Sequence, residues 1–146
     1  MPYMTVVENR NGLNSFSLAQ LIDTEIRIRT YLADPTRENE SWGVKKLRNE
    51  ANEIREQRLK VFKNTQYDLD NYIKKCVEFN IQENYVALAT FGLLEGYEIG
   101  QSGNWDLAKI IFKRVISDSF VEGRLKLPNQ KMLVTLLITQ LTLEST

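Results

Sequence analysis

Three glycines spaced four apart, Gly92, Gly96 and Gly100, fall inside NYVALATFGLLEGYEIGQSGNWDLAKIIFKRVI, residues 84–116, a stretch that otherwise reads as helix. On an α-helix that spacing puts all three on one side. Each glycine costs a helix about 0.5–1 kcal/mol relative to alanine, so three together need a compensating gain. Close approach of another helix is the gain that fits, and the chain supplies that helix directly afterwards. Gly103-Asn104 reads as a turn, and Trp105, Ala108 and Phe112 follow at helical spacing. The pattern predicts a helical hairpin whose second helix seats on the glycines through Ala108 and Phe112. A small-ligand cavity against the bare backbone is the rival use of the same face.

The remaining chain is written in the same period. Ser17 with Gln20 forms a capping box, Phe16 with Leu21 a hydrophobic staple, and Asp34-Pro35 a stop, since the residue before proline is pushed out of the helical region. Between them Leu18, Leu21, Ile22, Ile28 and Leu32 make an apolar side, with Asp23–Arg27 and Glu25–Arg29 as i,i+4 pairs. Val44, Leu47, Ala51, Ile54, Arg58 and Val61 then step by threes and fours, with Arg58 as the one polar intruder and Leu59 and Phe62 widening the seam. Lys45, Lys46, Arg48, Glu50, Glu53, Arg55, Glu56 and Lys60 occupy the other faces, which read as a solvated surface of mixed sign. Thr65 with Asp68 opens a helix carrying Leu69, Tyr72, Ile73, Cys76 and Val77 in the i, i+3, i+4, i+7, i+8 pattern, and Asn80 with Glu83 reads as the capping box of the next.

Beyond the hairpin, a linker with Gly123 and Pro128 leads into QKMLVTLLITQLTLEST, which is apolar on too many sides for a solvated helix. Met132, Leu133, Leu136, Leu137 and Leu141 suit one partner surface, and Val134, Ile138 and Leu143 then also require cover. Residues 1–15, with an Asn11-Gly12 turn signal, read as an extended arm or a small hairpin. The expectation is an all-α single domain, residues 16–146 forming a bundle of about five or six antiparallel helices joined by short loops.

Composition restricts the chemistry more than the fold. The 146 residues include no histidine and one cysteine, Cys76, which rules out Ser-His-Asp, Cys-His and ordinary zinc chemistry within one chain. No metal or cofactor is expected. A lone cysteine favours a reducing compartment, so the expected location is the cytoplasm, or the host cytoplasm for a viral or phage protein. The nineteen basic residues equal the nineteen acidic ones, so no net field attracts nucleic acid or an anionic membrane. No apolar run approaches the length of a membrane span, and the N-terminal residues lack a secretion signal. GLLEGYEIG has neither the Lys-Ser/Thr of a phosphate loop nor a preceding strand. Pairs such as Glu95 and Glu98, or Asp68 and Asp70, have no positioned partner and read as solvated helix charges rather than an acid–base dyad. Lys109, Lys113, Arg114, Arg124, Lys126 and Lys131 make the last third locally basic, partly offset by Asp118 and Glu122, and are the candidate phosphate or nucleic-acid contacts.

At GNWDLAKIIF the sequence resembles the tetratricopeptide repeat, a 34-residue helix–turn–helix unit. Gly103, Trp105, Ala108 and Phe112 fall on the turn and second-helix pattern of that family, and Gly96 on the small residue of its first helix. Glu95, Ile99 and the lack of a proline near Phe120 depart from it, and no second copy stands at the expected period. The resemblance implies one repeat-like hairpin inside a larger bundle, and a protein-binding role in which Thr90, Leu93, Tyr97 and Gln101 face a groove. The functional expectation is a non-enzymatic interaction module, an adaptor, regulator or inhibitor that binds through a helical groove or the apolar last helix. The alternatives are a self-assembling viral or phage subunit using residues 129–143, and a helical nucleic-acid-binding protein.

Overall fold

The computed structural model describes residues 15–34, 41–62, 67–119, 121, 124–125 and 128–144. Among these the chain is all-α, with helices α1 (Leu18–Ala33), α2 (Ser41–Val61), α3 (Leu69–Ile81), α4 (Tyr85–Gln101), α5 (Trp105–Ser119) and α6 (Pro128–Glu144). The expected arm or hairpin of residues 1–15 and the Thr65 start signal lie outside the described residues, apart from Ser15. Where the sequence suggested one bundle, the helices cluster into two compact units, residues 1–81 and 82–146.

In the first unit α1 packs against both α2 and α3. Ser17 caps α1 as the sequence indicated: its hydroxyl accepts from the Gln20 amide at 3.2 Å while the Gln20 side chain accepts from the Ser17 amide at 2.8 Å. Phe16 packs against the cluster of Leu21, Ile28, Leu47, Ala51 and Ile54. The helix stops at Asp34, whose extended backbone is what a following proline demands. In α2 the seam is correct through Arg58, but Leu59 and Val61 are about half exposed. Glu50, assigned to the solvated face, is buried.

In the second unit α4 packs against α5 and α6, and α5 against α6. The expected capping box at Asn80 and Glu83 is not the start of α4. Asn80 belongs to α3, Glu83 has a left-handed backbone (φ 54°), and Asn84 is the cap, its side chain accepting from the Ala87 amide at 3.2 Å. The reversal at Glu83 lets α3 run on through Ile81 before the chain turns. Gly103 (φ 108°) makes the next turn, and Asn104 accepts from the Leu107 amide at 3.1 Å to start α5.

The glycine face of α4 meets α5 side chains in antiparallel order. A methyl group on Gly96 would stand 2.8 Å from Phe112, one on Gly92 would overlap Val115, and one on Gly100 would overlap the Trp105 ring. Ala108 is fully buried, yet the side chains over the glycines are Trp105, Phe112 and Val115. The seam is therefore filled by α5, which leaves no room on this face for the ligand cavity.

Candidate binding cleft

The site that the geometry builds lies in the first unit, on three helices that each contribute one stripe. Residues Glu25, Arg29 and Leu32 of α1, Arg48, Asn52, Arg55 and Arg58 of α2, and Asp70, Ile73, Val77 and Ile81 of α3 line a cleft of about 800 Å³. Their spacings of three and four along each helix explain why helices packed side by side bring them together. α1 and α2 run antiparallel: Glu25 meets Arg58, and one turn further on Arg29 donates to Asn52 at 3.3 Å.

One end of the cleft is closed by an ion network. Arg58, only 2% exposed, donates through Nε to Glu25, itself 1% exposed, and through Nη2 to Asp70. Arg29 donates from Nε to the second Glu25 oxygen at 2.7 Å, and Arg55 donates from Nε to Asp70 at 3.0 Å. Two carboxylates are thus held by three guanidinium groups drawn from two helices. Such burial is tolerated only when every charge is paired and hydrogen-bonded, and Glu25 and Arg58 satisfy that condition. The hydrogen bond from Arg55, reinforced by Arg58 and opposed by partial burial, lowers the Asp70 carboxyl to about 2. Burial alone would lower the Arg58 guanidinium, but its bonds to Glu25 and Asp70 outweigh that and raise it. Asp70 also raises Arg55. Asp70, Arg55 and Arg58 are therefore held in their charged forms across neutral pH.

The rest of the cleft is apolar at its floor and charged at its rim. Ile73 is buried, Leu32, Val77 and Ile81 are half-buried, and Arg48 and Lys74 are exposed at the edge.

The residues singled out in the sequence lie in the second unit. Leu93 is fully buried and cannot face a partner, because it points into the same core that the glycines serve. Thr90 is half-buried and donates its hydroxyl to the Val86 carbonyl at 2.8 Å. Tyr97 is half-buried and Gln101 is exposed. Of the basic residues, Lys109, Lys113 and Lys131 are exposed, while Arg114 and Arg124 share Asp118 at 3.4 and 3.7 Å. Arg124 also lies 4.9 Å over the Tyr85 ring, and Lys126 is outside the described residues. On α6, Val134 is buried and Ile138 half-buried, whereas Met132 and Leu136 are exposed.

Among the described residues no group of three or more Cys, Asp or Glu side chains is placed to hold a metal, and no helix is long and apolar enough to cross a membrane. No protein-family model, curated protein or solved structure matches the chain. The cleft escaped the sequence reading because its key contact joins Glu25 to a residue 33 positions away. Arg58 breaking an apolar seam was the one visible signal.

Proposed function

We propose that the protein is a non-enzymatic interaction module that binds a segment of a partner protein in the cleft of its first unit. The observation that carries this reading is the cleft's make-up: an apolar floor within a charged rim, in about 800 Å³. Pockets that recognise ligands combine apolar lining with a few polar groups that fix orientation. The carboxylates Glu25, buried, and Asp70, partly open to water, are committed to arginines, which suits a scaffold and leaves them poor proton carriers. In this reading the repeat-like hairpin of residues 84–116 is a packing unit. The buried lone thiol of Cys76 suits the reducing cytoplasm.

The test is selection of displayed peptides on the native chain, followed by measurement on Val77→Arg, which puts a large charged side chain on the apolar floor of the cleft. Peptides seated there should lose about tenfold or more in affinity, about 1.4 kcal/mol. If every selected peptide binds Val77→Arg as tightly as the native chain, the cleft is not the binding site.

A second reading, a self-assembling subunit, is favoured by Met132 and Leu136, which stand about 60% exposed one turn apart on α6. Light scattering over a concentration series separates the two: a stable monomer removes the second reading.

A further inference from the structure

We infer that the occupant of the cleft is an acidic amphipathic helical segment of a partner protein, its carboxylates held by Arg48 and Lys74 and its apolar side chains by Leu32, Val77 and Ile81. This rests on the cleft being a protein-binding site and adds the chemistry of what enters it.

Five cations line the cleft against three carboxylates. Arg29, Arg55 and Arg58 are occupied with Glu25 and Asp70, and the third carboxylate, Glu78, pairs with Lys75 at 3.4 Å. The excess of positive charge is therefore that of Arg48 and Lys74. Both are exposed, and neither has an ion-pair or hydrogen-bond partner among the described residues. A cleft whose deep charges are already satisfied and whose rim carries two unsatisfied cations is complementary to an anion at the rim.

The make-up of the cleft, an aliphatic strip with cations beside it, suits an amphipathic helix. Arg58 and Asp70 meet at the closed end, and α2 and α3 both lead away from it. Arg48 lies ten residues back along α2, about 15 Å, and Lys74 four residues along α3, about 6 Å. The two cations thus stand on different helices at different distances from the closed end, and a helix that carries carboxylates two turns apart on one face offers charges that are likewise spread along its length. In the same cleft Leu32, Val77 and Ile81 offer an aliphatic strip of the kind that receives the i+3 and i+4 side chains of an amphipathic helix. A nucleic acid would need stacking surfaces, and none of the residues lining the cleft is aromatic.

The experiment uses the full chain and two labelled 15-residue probes: an amphipathic helix with leucine at i+3 and i+4 and glutamate at i and i+7, and the same peptide with glutamine for glutamate. By fluorescence anisotropy at low salt the glutamate peptide should bind about tenfold tighter. That advantage should vanish in the double variant R48Q/K74Q and shrink as salt is raised. Both substitutions are at exposed positions, and an unchanged melting curve verifies that the variant is folded. Equal affinity for the two peptides, a preference that survives in R48Q/K74Q, or no binding of either overturns the inference. So does a twelve-nucleotide oligouridine that binds the native chain and is lost in R48Q/K74Q while the glutamate peptide is indifferent, which would make the rim a nucleic-acid contact. If both peptides bind equally and Val77→Arg abolishes both, the cleft remains a peptide site and only its acidic preference falls. If Val77→Arg changes nothing, the binding-module reading falls with it.

Discussion

In the first unit α1 and α2 are joined by a buried charge pair, Glu25 against Arg58 at 1% and 2% exposure, whereas in the second α4 and α5 are joined by glycine backbone against Trp105, Phe112 and Val115. Both devices fix helix register, but they leave different surfaces. Guanidinium groups are long and must have every donor placed, so they hold α1, α2 and α3 around a polar knot whose outer member, Asp70, stays open to water. A cleft persists beside it. Glycines remove the space between α4 and α5, and large side chains fill it completely. A unit locked by charges can keep a recess, and a unit locked by missing side chains closes one.

The largest effect should come from breaking the charged lock. Arg58→Met takes the buried partner from Glu25 and one of two arginines from Asp70, and removal of one partner of a buried pair costs about 3–5 kcal/mol. The remaining bond from Arg29 to Glu25 puts the expected loss towards the lower end. Replacing both partners, E25L/R58M, should recover most of it, since an apolar pair of similar volume carries no desolvation penalty. Urea unfolding of the three chains measures this. An Arg58→Met loss below about 1 kcal/mol would mean that the apolar cluster around Ala51, not the ion network, sets the stability of this unit.

The glycine lock should fail less severely. Gly96→Leu drives a side chain into Phe112, and overpacking of this kind costs about 1–3 kcal/mol, reduced slightly by the better helix propensity of leucine. Thermal unfolding checks it. An unchanged melting temperature would mean that α5 moves aside freely, and the contrast between the two units would lose its basis.

What was legible in the sequence follows the same division. Signals between near neighbours held: the Ser17–Gln20 capping box, the Gly103 turn, the pairs Asp23–Arg27 and Glu25–Arg29. The all-α class rests on such signals. Where two local signals competed, the pattern chose wrongly at Asn80, because the left-handed backbone at Glu83 moved the cap to Asn84. Long-range selection was invisible. Nothing near Glu25 says that it will be desolvated by Arg58, and nothing in α6 ranks Val134 over Met132 as the inward residue, since both are apolar and only the position of α4 and α5 decides. The groove residues implied by the tetratricopeptide resemblance included Leu93, which its neighbours bury.

The smallest effect is also the one that isolates a single group. Asp70 is held at about 2 in the folded chain against an ordinary 3.8. A depressed carboxyl pKa stabilises the fold above the unfolded value, and that contribution disappears as pH falls from about 4 to 2, where the unfolded chain takes up a proton that the folded one still refuses. Solvent reaches the Asp70 side chain, which is 38% exposed, so the contribution must be discounted to about 1 kcal/mol or less. Other carboxylates titrate over the same range, so an acid unfolding curve of the native chain alone would not single out Asp70. The difference between the native chain and Asp70→Asn does, because every shared titration cancels. Urea midpoints measured from pH 7 to pH 2 should show the native chain ahead by a constant margin down to about pH 5. The margin should then narrow and nearly vanish at pH 2. A margin that stays constant to pH 2 would mean that Arg55 and Arg58 hold Asp70 by shape rather than by charge, and the charged lock would reduce to Glu25 and Arg58 alone.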